Sequence, residues 1–213
     1  SLASRTVLRS IRILLLALLS IGVAAAAAPR ERTLLVFGDS LSAAYGLRAD
    51  EGWVAQLQKR LAEQGYGYRV VNASVSGETT AGGRARLARA IETHQPQLVI
   101  LELGANDGLR GLPVKDAREN LSAMIGSIKQ AKASVLLVGI MLPPNYGPRY
   151  ANDFAAMYPA LSGQHGVPLL PFLLDGVALE SRYMQADGLH PNAAGQPLVL
   201  ENVWKHLKPL LER

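Results

Sequence analysis

Five short, mostly apolar runs recur along the chain, at 33–37, 69–72, 98–103, 135–140 and 167–170. They are continuous rather than alternating, the pattern of strands covered on both faces. Between them the period changes. Trp53, Val54, Leu57 and Leu61 fall on one helical face that stops at Gly65. Further helical stretches are expected at 81–93, 115–131, 150–165 and 193–211, the second carrying Leu121, Met124, Ile125 and Ile128 on one stripe. Strand alternating with helix gives βαβ units, right-handed crossovers and a parallel sheet. In such sheets, ligands bind beyond the carboxyl ends of the strands. The residues after each strand are therefore where function is to be sought.

Those residues are distinctive. Gly38-Asp39-Ser40-Leu41 follows the first run, and the loop NASVSGETT, with Gly77, follows the second. LGANDGLRG, with Asn106 and Asp107, follows the third, and ADGLHPN, with Asp187 and His190, precedes the last helix. A serine hydroxyl is a weak nucleophile near neutral pH and needs a general base within hydrogen-bond reach. His190 can supply it. Asp187, three residues earlier, can reach back to one ring nitrogen, fix the tautomer and stabilise the imidazolium. The N–H groups of Ser40 and Gly77 and the amide of Asn106 can converge on an oxyanion. Singly, each has an ordinary reading. Ser40 is a good helix N-cap, Gly77 a loop glycine, Gly-Ala-Asn-Asp a turn, and Asp187 with His190 a surface ion pair. Their order, each after its own strand, favours the catalytic reading. Asp39 and Asp107 are expected to support the Ser40 turn and the Asn106 loop rather than react.

The first 28 residues differ from the rest. Arg5, Arg9 and Arg12 precede an apolar run, Ile13 to Val23, and then polyalanine. A positive start, a short apolar core and small residues mark a cleaved secretory signal peptide, and the core is short of the about 20 residues that span a bilayer. The expected organisation is a signal peptide at 1–28 and one domain at 29–213, in the periplasm or the medium. The segment holds three arginines and no acids, so without it the net charge falls from +5 to +2. No Lys/Arg cluster with interleaved aromatics remains, which argues against a nucleic-acid partner. The absence of cysteine excludes disulfides, thiolate metal sites and a cysteine nucleophile.

The four loops resemble the blocks of the SGNH (GDSL-type) hydrolase family. Ser40 matches its first block, Gly77 its second, Asn106 its third, and Asp187 with His190 its fifth. The resemblance runs from about Thr33 to Leu211. GDSLSAAYGL, GWVAQLQKRL, NDGLRG and LPPNYGPRY are similar to the bacterial multifunctional esterase and arylesterase subgroup. One departure is Ala105, where that subgroup usually has glycine. The resemblance implies hydrolysis of aryl esters, lysophospholipids and acyl thioesters through an acyl-enzyme on Ser40. It also implies a mobile loop near 108–113.

The acyl pocket should be apolar, and Leu109, Met141, Leu142, Tyr146, Tyr150 and Phe154 are candidates to line it. Ordinary helix–sheet packing is their competing explanation. No cofactor is expected, since the glycine signatures of dinucleotide and P-loop sites are absent. No metal is expected, since His190 lacks a partner histidine at ligand spacing. His94, His165 and His206 read as solvated bystanders. The expected fold is a single-domain three-layer α/β sandwich with a five-stranded parallel sheet of flavodoxin-like order, acting as a monomer on a small acyl substrate without stable membrane insertion. The alternatives are a carbohydrate O-deacetylase or acyltransferase of the same family, or a non-catalytic binding module.

Overall fold

The computed structural model describes residues 32–212; the expected signal peptide and its cleavage point lie outside them. Five strands, β1 (Arg32–Gly38), β2 (Tyr68–Asn72), β3 (Leu98–Glu102), β4 (Ser134–Val138) and β5 (Leu169–Leu170), pair in the order β2-β1-β3-β4-β5. Every pair is parallel. This is the expected flavodoxin-like order, and its switch point lies between β1 and β3. Leu34, Leu35, Val36 and Phe37 of β1 and Val99, Ile100 and Leu101 of β3 have no exposed surface. Their unbroken apolarity answers to helices on both faces.

Among the described residues, six α-helices flank the sheet: α1 (Trp53–Glu63), α2 (Thr80–His94), α3 (Ala105–Leu109), α4 (Val114–Gln130), α5 (Pro148–His165) and α6 (Gln196–Leu207). Helix α1 packs beside α6 in one layer; α2 packs on α4, and α4 on α5, in the other. The buried face of α1 is Trp53, Val54, Leu57 and Leu61, the expected stripe. Helix α4 buries Leu121, Met124, Ile125 and Ile128, with Ala117 added.

The differences from expectation have local causes. Strand β5 is two residues long rather than four, because Pro168 has no N–H to give to a ladder. Its carbonyl still accepts from Leu137 N at 3.0 Å. Helix α6 begins at Gln196 rather than 193 and ends at Leu207, where a 3₁₀ turn, Lys208–Leu210, with proline in its first positions takes over. Helix α3 stands where a loop was expected. His165 is a helix-to-helix tie rather than a solvated bystander, its Nε2 meeting Ser122 Oγ at 2.8 Å.

Ile100 sits at the centre of the sheet, so Ile100→Ala should lower the free energy of unfolding by about 2–5 kcal/mol. Urea denaturation measures it, and a loss below about 1 kcal/mol would show that this strand is not the packed centre.

Candidate active site

Strand β1 delivers Ser40 to the carboxyl edge of the sheet. The turn that follows is held by Asp39, whose Oδ1 accepts from Leu41 N at 3.0 Å and whose carbonyl accepts from Ala43 N at 2.9 Å. Trp53 Nε1 donates to Leu41 O at 3.1 Å and Asn72 Nδ2 to Ser42 O at 2.8 Å, so α1 and β2 both pin the turn. Asp39 rather than Ser40 makes the local side-chain-to-backbone bond. The Ser40 hydroxyl points elsewhere: its Oγ lies 2.9 Å from His190 Nε2.

The opposite ring nitrogen, His190 Nδ1, lies 2.7 Å from Asp187 Oδ2. Asp187 is held in turn by its own loop, with Oδ1 accepting from Leu189 N at 2.9 Å and His190 N at 3.0 Å. Gly188 between them has φ +66°, a left-handed conformation that lets the loop curl around the carboxylate. Partial burial works to raise the Asp187 carboxyl, but the Leu189 N–H, the His190 ring and the His190 N–H outweigh it and hold the group below its ordinary value. Asp187 therefore stays ionised wherever a neutral imidazole can act as base. With Nδ1–H given to Asp187, Nε2 is left to accept from Ser40. Tyr45 adds a contact that the sequence did not announce, its ring centroid 4.5 Å from that of His190.

Asn106 stands in the first turn of α3, after Gly104. Its Nδ2 donates to Glu78 O at 2.9 Å and to Asp39 Oδ2 at 3.2 Å. Asp107, one residue on, braces the helix against α2 by accepting from Thr80 N at 2.8 Å and Thr80 Oγ1 at 2.6 Å. Ala105 opens α3, where alanine suits a helix better than the glycine usual in the resembled subgroup. Gly77 lies exposed in the loop between β2 and α2 with φ +80°, its carbonyl accepting from Arg110 Nη2 at 3.0 Å. Among the described residues, the N–H groups of Ser40 and Gly77 have no acceptor.

A cavity of about 510 Å³ opens beside these groups, with Ser40, Asn106 and His190 in its wall. The remainder is mainly apolar and includes Leu109, Met141, Leu142, Leu174, Leu179 and Met184. Of the six candidates for the acyl wall, Leu109, Met141 and Leu142 lie in this lining. Tyr146, Tyr150 and Phe154 lie outside this lining. Phe154 is fully buried on the core face of α5 against Tyr158. Tyr146 and Tyr150 instead give their hydroxyls to Leu109 O at 3.1 Å and Leu112 O at 2.6 Å, tying the 109–112 loop to the segment around the start of α5. Among the described residues, no three His, Asp or Glu side chains group so as to hold a metal ion.

Residues 36–198 match the model of the GDSL-like lipase/acylhydrolase family. The chain belongs to this family. It is 56% identical over 180 residues to esterase TesA of Pseudomonas aeruginosa, covering 84% of this chain and 90% of that protein. It is 44% identical over 179 residues to thioesterase 1/protease 1/lysophospholipase L1 of Escherichia coli K12, covering 84% and 85%. The crystal structure of a psychrotrophic esterase, EstA, from Pseudoalteromonas sp., inhibited by monoethylphosphonate, superposes with a TM-score of 0.81. It is 42% identical and covers 84% of this chain and 98% of that one. Within this GDSL-like acylhydrolase, helix α3, which carries Asn106, is braced by the buried Asp107 carboxylate accepting from Thr80. Thr80→Val removes the hydroxyl donor to Asp107 and should lower the free energy of unfolding by about 1–3 kcal/mol. An unchanged thermal melting curve would mean that this bracing contributes nothing.

Proposed function

We propose that this acylhydrolase cleaves carboxylic esters and thioesters through an acyl-enzyme on Ser40. Membership of the family makes it a carboxylic ester hydrolase; the assignment of residues is our own. The observation that carries it is the relay Asp187–His190–Ser40, at 2.7 and 2.9 Å, opening on an apolar cavity.

The chemistry follows from the geometry. His190 Nε2 takes the Ser40 proton as Oγ attacks the substrate carbonyl carbon, and the carbonyl π electrons move onto its oxygen. Ser40 N–H and Gly77 N–H donate to that oxyanion, and the Asn106 Nδ2 hydrogen given to Asp39 at 3.2 Å is shared with it. Asp187 holds the ring by Nδ1 and stabilises its positive charge. When the tetrahedral intermediate collapses, the bond to the alcohol or thiol breaks, and His190 Nε2–H protonates the leaving group. Water then repeats the sequence, with His190 as base, and releases the carboxylic acid.

The cavity takes the acyl chain, with Leu109, Met141 and Leu142 in its wall. Apolar walls suit aryl esters, lysophospholipids and acyl thioesters, and they offer few of the polar groups that an acetylated glycan would need. The charge and apolar pattern of residues 1–28 supports export to the periplasm or the medium. Among the described residues, no helix is long and apolar enough to cross a membrane. The enzyme is proposed to act as a monomer.

A panel of p-nitrophenyl esters, a lysophospholipid and an acyl thioester, run with Ser40→Ala as control, tests this reading. Turnover of every substrate should fall at least about 10³-fold in the variant, the scale of losing a catalytic nucleophile, while far-UV circular dichroism stays unchanged. Hydrolysis at the parental rate by folded Ser40→Ala would exclude the mechanism.

A further inference from the structure

Behind Ser40 lies a buried acidic pair that the chemistry above does not use. Glu102, the last residue of β3, and Asp39 have no exposed surface. Gly38 is paired with Glu102 across the sheet, and a Cβ there would lie 2.5 Å from Glu102 Oε2. The glycine therefore leaves room for this carboxyl. Glu102 Oε2 accepts from Ser42 Oγ at 2.6 Å and from Asp39 N at 3.3 Å, while Oε1 is buried without a hydrogen-bond donor. The two carboxyls are also within hydrogen-bond reach of each other. Asp39 in turn reaches the Asn106 amide.

We propose that Glu102 is a positioning residue for the oxyanion site: it donates a hydrogen bond to Asp39, and Asp39 holds the NH₂ side of the Asn106 amide toward the cavity. The proposal rests on the reading of Asn106 as an oxyanion donor. Its logic is donor–acceptor counting. An ionised Asp39 can only accept, as the Glu78 carbonyl does, so the two acceptors draw the amide nitrogen and not the amide oxygen. A protonated Asp39 would instead offer a donor to the amide oxygen and compete with the Glu78 carbonyl for the orientation of the group. Two adjacent buried carboxyls do not both ionise, so they share one proton. Burial, and then the charge of Asp39, push Glu102 well above its ordinary value, while burial lifts Asp39 only to about 6 against the pull of the Leu41 N–H, His190 and Asn106. Both Asp39 oxygens already have donors, Leu41 N and Asn106 Nδ2, whereas Glu102 Oε1 has none, so the shared proton resides on Glu102.

The experiment is a double-mutant cycle on p-nitrophenyl butyrate. Glu102→Gln keeps a donor for Asp39 and an acceptor for Ser42, so kcat should stay within about threefold of the parent. Glu102→Leu keeps the bulk and removes both; kcat should fall about 10- to 100-fold with little change in KM, as expected for a misplaced transition-state donor. In an Asn106→Ala background, the Glu102→Leu exchange should have no further effect. Should Glu102→Leu not fold, Glu102→Asp, one methylene short of Asp39, is read in the same way. The proposal is overturned if Glu102→Leu keeps the parental kcat, if Glu102→Gln is equally damaged, or if the loss persists without Asn106. Asn106→Ala alone should cost about 10²–10³ in kcat. A parental rate in that variant overturns the oxyanion reading itself, and so separates the two failures.

Discussion

The hydrogen bond between Ser40 and His190 joins residues 150 positions apart, and nothing local can make it. It exists because a parallel sheet gathers all its exit loops on one edge. Strand β1 sends Ser40 there, β3 sends Asn106, and the segments after β4 and β5 build the apolar wall. The loop before α6 then brings His190 over Ser40. Both faces of the sheet are sealed by helices, so the carboxyl edge is the place left for chemistry. Ser40 and Asn106 flank the switch point between β1 and β3, where the crossovers diverge and a crevice opens.

That edge is electrostatically expensive. Asp39, Glu102 and Asp107 are all buried, and burial of a carboxylate is unfavourable unless it is paired or neutral. Asp107 is satisfied by two donors from Thr80. Asp39 and Glu102 resolve the conflict by sharing a proton. The cost has a definite sign. The folded chain keeps a proton on Asp39 up to about pH 6, whereas the unfolded chain loses it near the ordinary aspartate value of 3.8. Across that window the folded state binds more protons, so this pair makes stability fall as pH rises. Asp187 works in the opposite sense. Its carboxyl is lowered on folding, so the stability it contributes is present above its unfolded value and is lost as pH falls through its folded one.

Much of the fold was legible because it rests on periodicity. Runs such as 98–103 are continuous because β3 is covered on both faces, and the stripes of α1 and α4 are the faces they bury. Proline set limits that apolarity alone concealed, shortening β5 at Pro168. Ser40, Asp187 and His190 were legible as candidates because nucleophile, base and orienting acid must follow particular strands, and the structure brings these three side chains together. Side-chain direction was harder to read. Phe154, Tyr146 and Tyr150 carry the right chemistry for an acyl wall, but α5 turns Phe154 into the core and Tyr150 toward the 109–112 loop, and the short turn before α5 sends Tyr146 the same way. Tyr45 and Glu102 carried no recognisable spacing. Tyr45 reaches His190 only through the turn after β1, and Glu102 resembles any polar residue at a strand end until burial shows otherwise.

In the proposed mechanism one hydroxyl, that of Ser40, carries the acyl moiety. Reaction with a fluorophosphonate, followed by peptide mapping by mass spectrometry, tests this directly. A single phosphonyl adduct is expected on Ser40, formed in step with loss of esterase activity. An adduct on Ser42 or elsewhere, or complete inactivation with Ser40 unmodified, would contradict it.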